Sequence, residues 1–429
     1  MQRIPALTLL VLGIASFCPR GHAEAGPKAP KPWHQLDMMA DPILDQVLLF
    51  YLGEAWTGMT DVGECLETAS RVRDDEPWSW TRAWKASASR LAGEAAKAEA
   101  GGQLRTAGQS YLRASSYYRA AAHRHPDPAG QDMAELAKEA VRCYRRALEL
   151  LPELGGLPVR IPYEGTSLPG YYFKAEGSKE GTPLLIVQQG RDAWAQDCTY
   201  IAREALSRGI SCLLFDGPGQ GEVVRLQRLA FRPDWEKVLG PVVDWAQGQA
   251  GIDPSRIGVI GLSMGGALIP RAAAYEGRLK VAVANPGVLD WSRVIDGYFQ
   301  AKLPELMPLL ERDPAAFDLA IEALMREDAF LGWAIKDMEW RHGGASPSEL
   351  MAILRSFDAT ADVGRIRARL LVVDGEEEEY GQARELYDAL SCPKDYLRFA
   401  AKDAASLHVQ VGALAFSTSR IMDWIERYL

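Results

Sequence analysis

Ser263 lies between glycines in the run Gly261-Leu262-Ser263-Met264-Gly265-Gly266, with a β-rich stretch before it (257–260) and a helical one after it (267–275). A serine hydroxyl becomes a useful nucleophile when a base takes its proton, and a sharp strand-to-helix turn exposes it to that base. Glycines on both sides leave room for the neighbouring strand and helix backbones. The helix that follows directs its N–H groups and positive end toward a developing oxyanion. An ordinary glycine-rich turn would look the same in isolation; the strand and helix around this one point to attack on a carbonyl carbon. A cysteine nucleophile fits less well, because Cys212 lies inside an apolar stretch where a thiolate is disfavoured.

Where a serine sits on such a turn, the chain order is serine, acid, histidine. Beyond residue 342 the sequence has a single histidine, His408, placed after the last β-rich run and before a terminal helical stretch (419–428). That position suits a general base. The acid should follow the β-rich run 370–373, where Asp374, Glu376, Glu377, Glu378 and Glu379 crowd around Gly375. Most of such a charge run forms a solvated face. Reach past the glycine to the imidazole N–H favours Glu378, with Asp374 as the alternative; either would orient the histidine and stabilise its charged form.

The run 184–189 ends in Gln188-Gln189-Gly190-Arg191-Asp192. A loop there supplies the second backbone donor of an oxyanion hole, so the N–H groups of Met264 and Arg191 are the candidates, although Gly190 could equally be a plain turn glycine.

These residues need a scaffold. β-rich runs at 159–163, 170–174, 184–187, 211–215, 257–260, 281–284, 370–373 and 396–399 alternate with helical stretches. That alternation predicts an α/β fold with a mostly parallel sheet covered on both faces and its chemistry at the carboxyl ends of the strands. Residues 31–152 read as helices, including 87–100, 107–122 and 132–150, with strand signals nearly absent. The division expected is a helical, cap-like domain over 31–152 and a catalytic domain over 157–429. A helical interruption at about 291–367 is where a lid would sit.

A chain of 429 residues, 48% hydrophobic and 24% charged, has length for both units. Its formal net charge of −9 argues against a nucleic-acid footprint and for a small-molecule substrate. Residues 4–17 form an apolar run after Arg3, and small residues surround position 25, as in a cleaved signal peptide over 1–25; export to the periplasm or outside is the expectation. The run, at about 14 residues, is short of the roughly 20 needed to span a bilayer, so no stable membrane insertion is expected. The six cysteines show neither a CxxC nor a metal-ligand spacing, and buried thiols are expected. No zinc site is indicated by that spacing, and a homodimer is left open.

Several segments together resemble a known family. They are Leu168-Pro169-Gly170-Tyr171-Tyr172, the run from Phe215 through Asp216-Gly217-Pro218-Gly219-Gln220-Gly221 to Glu222, and the Ser263 turn with Arg271 and Glu276. Tyr111-Leu112-Arg113-Ala114-Ser115-Ser116-Tyr117-Tyr118 and His408-Val409-Gln410 extend the likeness over most of the chain. The sequence is similar to α/β-hydrolases of the fermentation-respiration-switch-type esterase and 2,6-dihydroxypseudooxynicotine hydrolase family, and to fungal hydrolases that shorten polyketides in pigment synthesis. The resemblance implies a serine, acid, histidine triad, no cofactor, a helical domain over the active site, and cleavage of esters or of the carbon–carbon bond of β-dicarbonyl aryl compounds. It places Asp290 near a substrate pocket; from its position before Trp291, Asp290 also reads as a helix N-cap. Two departures stand out: the family acid is usually Asp in a His-Gly-x-x-Asp run where this chain has Asp374-Gly375-Glu376-Glu377-Glu378, and the oxyanion loop, often Gly-Gly-x-Asp, reads Gln189-Gly190-Arg191-Asp192. A non-catalytic binding or regulatory protein on the same fold, or a peptidase, are the alternatives; the second lacks any blade-like repeat in 31–152.

Overall fold

The structure, a computed structural model, describes residues 32–176 and 181–429; the proposed signal segment and Cys18 lie outside the described residues. Eight strands form one sheet: β1 Gly156–Tyr163, β2 Thr166–Phe173, β3 Thr182–Gln188, β4 Ser211–Phe215, β5 Ile252–Leu262, β6 Val281–Asn285, β7 Arg369–Gly375 and β8 Lys394–Phe399. Their order is β1-β2-β4-β3-β5-β6-β7-β8. β1 and β2 pair antiparallel, as do β2 and β4, and every later pairing is parallel. β3, β4 and β6 are buried along their whole length, which is why they read as unbroken apolar runs rather than alternating ones. β8 closes one edge and carries Lys394, Asp395 and Arg398, charges that discourage pairing with another chain.

Strand order reverses between β3 and β5, leaving a crevice at their carboxyl ends. Ser263 follows β5 there, and Gly190 follows β3.

Between β6 and β7 the chain makes five helices, Trp291–Lys302, Met307–Arg312, Pro314–Glu327, Ala329–His342 and Pro347–Leu354. Four of them start at an Asp or Ser whose side chain accepts a backbone N–H: Asp290, Asp313, Asp328 and Ser346. This is the interruption expected at 291–367.

The N-terminal helices are Pro42–Gly53, Val62–Ala69, Ser79–Ala100, Leu104–His123 and Gln131–Leu150. The longer three pack closely through buried alanines at 88, 95, 107, 114, 120, 137 and 140, with Trp80, Trp84 and Tyr117 filling the space beside them. Small residues allow this close approach, and Trp80 Nε1 donates to the Ala120 carbonyl at 2.7 Å. Arg119 reaches Asp197 beyond β3 at 2.5 Å, and Tyr144 meets Thr199 at 2.7 Å. Helices and sheet thereby share one continuous hydrophobic core. Cys65, Cys143, Cys198, Cys212 and Cys392 are all free and buried. Among the described residues no helix is long and apolar enough to cross a membrane, and no group of three or more His, Cys, Asp or Glu is placed to hold a metal ion.

Candidate active site

β5 delivers Ser263 at φ +56°, a left-handed conformation that costs energy for a serine and is held by its surroundings. Its N–H donates to the Asn285 carbonyl at the end of β6 at 2.7 Å. The flanking glycines are steric requirements. A Cβ on Gly261 would lie 2.1 Å from the Gly265 carbonyl oxygen, one on Gly265 2.5 Å from that of Gln188, and one on Gly266 2.0 Å from that of Pro286.

His408 Nε2 lies 2.8 Å from Ser263 Oγ, and His408 Nδ1 lies 2.9 and 3.1 Å from the two carboxylate oxygens of Glu378. Glu378 is almost wholly shielded from solvent while His408 keeps slight exposure. Asp374, the alternative acid, faces elsewhere: it accepts from the Tyr396 hydroxyl at 2.6 Å and from the Gly375 N–H at 2.9 Å. Glu376 accepts from the Ala401 N–H and Glu377 from the Ser406 hydroxyl. Geometry thus separates five carboxylates that charge alone left equivalent.

Two devices fix the histidine loop. Gly375 lets β7 approach so closely that a Cβ there would meet the Ser406 carbonyl oxygen at 2.3 Å. Asn285 and Gln410 exchange side-chain amide hydrogen bonds of 2.8 and 3.1 Å, tying the segment after His408 to the tip of β6. The sequence carried no sign of that pair beyond the likeness at His408-Val409-Gln410.

The loop after β3 is equally supported. Gln220 Nε2 donates to the carbonyls of Gln189 (2.7 Å) and Gly190 (2.8 Å), and Asp216 accepts from Gln189 Nε2 at 2.7 Å. The segment from Asp216 to Glu222 is therefore the cradle of this loop. A Cβ on Gly190 would lie 2.7 Å from Ser263 Cβ, so the loop passes directly over the serine. Arg191 turns its side chain to Asp192 (2.9 Å) and to Asp337 of the 329–342 helix (2.7 Å), and Arg341 completes the cluster on Asp337 at 2.9 Å. Burial pushes the Asp337 carboxyl up, and the guanidiniums of Arg341 and Arg191 more than reverse this, leaving it below its ordinary value. Asp337 and Arg341 were not foreseen from sequence. Met264, the other expected backbone donor, directly follows Ser263 at the start of the helix Gly265–Tyr275.

Asp290 uses its carboxylate as a helix N-cap, accepting from the Ser292 N–H at 2.9 Å and the Ser292 hydroxyl at 2.6 Å. Of its two sequence readings, the local one describes what its side chain does.

The sequence profile of the alpha/beta hydrolase family matches residues 181–411, the span from β3 to the histidine loop. The chain belongs to the alpha/beta hydrolase family. This hydrolase is 30% identical over 395 residues to Hydrolase LUC6 of Fusarium sp, covering 85% of the chain and 91% of the relative. It is 26% identical over 394 residues to 20-hydroxy-prefusarin hydrolase FUS2 of Gibberella moniliformis, again covering 85% and 91%. Its fold matches the crystal structure of 2,6-dihydroxy-pseudo-oxynicotine hydrolase with a TM-score of 0.68 at 18% identity, over 88% of this chain and 95% of that one.

In the hydrolase, Tyr380 packs its ring 4.7 Å from the His408 imidazole and 5.3 Å from Trp291. Burial and the neighbouring Glu378 carboxylate push its phenol far up, opposed by a contact with the Ser263 hydroxyl. Burial, together with Glu378, also raises the Glu379 carboxyl to about 8, which keeps it protonated at neutral pH.

Proposed function

We propose that this protein is a serine hydrolase acting on a carbonyl carbon of a small molecule, an ester or a β-dicarbonyl compound, through Ser263, His408 and Glu378. The observation that carries the reading is the unbroken hydrogen-bonded line from Ser263 Oγ through the His408 ring to the Glu378 carboxylate, at 2.8 and 2.9 Å.

His408 Nε2 takes the Ser263 proton as Oγ forms a bond to the carbonyl carbon, and the carbonyl π-electrons move onto oxygen. Backbone N–H groups of Met264 and Arg191 hold that oxyanion. Collapse expels the leaving group, which takes the proton from His408: an alcohol or phenol from an ester, an enol from a β-dicarbonyl. Water then gives its proton to His408, attacks the acyl-enzyme, and restores Ser263 as the acid departs. Glu378 orients the ring and stabilises its charged form throughout. Two proteins this chain is similar to are named as hydrolases of small molecules, 20-hydroxy-prefusarin and 2,6-dihydroxy-pseudo-oxynicotine, which accords with a small-molecule substrate here.

The test is intact mass after exposure to a fluorophosphonate. Wild type should gain one adduct, while Ser263→Ala should gain none and His408→Ala should react far more slowly. A folded wild type that stays unlabelled would overturn the assignment.

A further inference from the structure

Around the loop after β3, several fully buried polar atoms lack a hydrogen-bond partner: Nε and Nη2 of Arg225, Nε2 of His123, both ring nitrogens of His342 and Oε1 of Gln189. Buried polar groups are nearly always satisfied, so such a concentration marks a place that something polar completes.

Arg225 makes the strongest demand. It is 5% exposed, and its Nη1 donates to the Gly221 carbonyl at 3.0 Å. Its guanidinium lies 4.3 Å from the Trp194 ring centre and 5.5 Å from that of Trp340. Burial lowers it to about 9, which leaves it cationic at neutral pH. The carboxylates around it are already engaged. Asp192 and Asp337 face Arg191 and Arg341. Asp216 accepts from Gln189 and from the N–H groups of Ala195 and Glu222, and Glu222 faces Arg145 and Arg160. Among the described residues Arg225 forms no ion pair, an arrangement that is costly for a buried charge.

Its location gives this charge a use. Trp194 belongs to the stretch that begins at Gly190, over Ser263; Trp340 is on the helix whose Arg341 holds the Arg191 carbonyl. The free Nε and Nη2 form one edge of the guanidinium fork, the edge that pairs with two oxygens in one plane. The indole faces restrict the fork to that plane and suit a flat, delocalised ligand.

We propose that Arg225, set between Trp194 and Trp340, recognises a planar oxyanion on the substrate, either a carboxylate or the enolate of a 1,3-dicarbonyl group. This deepens the serine-hydrolase reading and rests on it.

The experiment measures protection of Ser263 from fluorophosphonate by naphthalene-2-carboxylate and by its neutral analogue naphthalene-2-carboxamide. In wild type the carboxylate should protect about tenfold better than the amide, as expected of a charge-assisted pair. That ratio should collapse toward one in Arg225→Gln and be partly kept in Arg225→Lys. Protection by 1-phenylbutane-1,3-dione at pH values on either side of its enol ionisation, read against the carboxylate at each pH, separates an enolate site from a carboxylate site. Calorimetric titration of the naphthalene pair reads the same preference without the serine chemistry. Absence of labelling therefore condemns the hydrolase mechanism, whereas equal affinity of acid and amide in wild type overturns the anion site. A preference that survives in Arg225→Gln does so too. If Arg225→Gln does not fold, the wild-type ratio and Arg225→Lys decide.

Discussion

Arg341 donates from Nη1 to the backbone carbonyl of Arg191 at 3.1 Å while its Nε holds Asp337 at 2.9 Å. The helix 329–342 thus grips the loop over Ser263 through its main chain as well as through charge. Arg191 and Asp337 are 146 residues apart in sequence, and the 329–342 helix and the loop after β3 are joined at this point.

Replacing Asp337 by Ala should leave two buried guanidiniums without their shared carboxylate, at a cost of about 3–5 kcal/mol. Urea titration measures it. Arg341→Lys keeps the charge but loses the fork, and should slow fluorophosphonate labelling about tenfold by loosening the Arg191 main chain.

Glu378→Gln should lower the labelling rate by about 10³- to 10⁴-fold, the size of effect seen when a triad acid loses its charge. Asp374→Asn, whose carboxylate serves Tyr396, should stay within about threefold of wild type, inside the usual range for a peripheral change. Rates for the two variants side by side decide between the acids; the opposite ranking would make Asp374 the partner of His408.

Gly190→Ala places a methyl 2.7 Å from Ser263 Cβ and 3.1 Å from Oγ. Labelling should fall by about 100-fold or more if the loop supplies the oxyanion donor proposed at Arg191, because the methyl would displace it. A melting temperature close to wild type would confirm that the damage is confined to the site.

Glu379 binds a proton in the folded state up to about pH 8 and releases it near 4.5 when unfolded. The folded state therefore holds more protons between those values, and stability falls as pH rises from about 4.5 to 8. Glu379→Gln removes that slope. Its gain over wild type should be absent at pH 4 and reach roughly 1–2 kcal/mol at pH 9, allowing for the partial exposure of this side chain. Chemical denaturation at the two pH values reads it.

β3, β4 and β6 were legible because strands buried along their whole length are written as apolar runs; the other strands were also seen, with shifted ends. β5 begins at Ile252 rather than 257, since Asp253, Ser255 and Arg256 stay extended without an apolar signature. β1 and β2 lengthen because their antiparallel pairing runs to the Glu164-Gly165 turn. Ser263 was visible through its glycines and His408 through chain order. Glu378 required an argument from reach, since neighbouring carboxylates share every property except direction. Nothing periodic announces Asn285 with Gln410, or Arg191 with Asp337 and Arg341: each pair meets only after the chain has folded. Asp290 showed the converse, a local capping signal that describes its carboxylate more fully than the family likeness does.

The five buried cysteines have a practical consequence. Burial raises the Cys65 and Cys143 thiols to about 12 and lifts those of Cys198 and Cys212 further, so a thiol reagent modifies each when its surroundings open. Cys65 and Cys143 stand in the N-terminal helices; Cys198 stands in the short turn 195–198 after β3, and Cys212 in β4. The native chain is thus its own clock. Peptide-resolved alkylation rates tell whether the helices and the sheet breathe as one body or the helices open first.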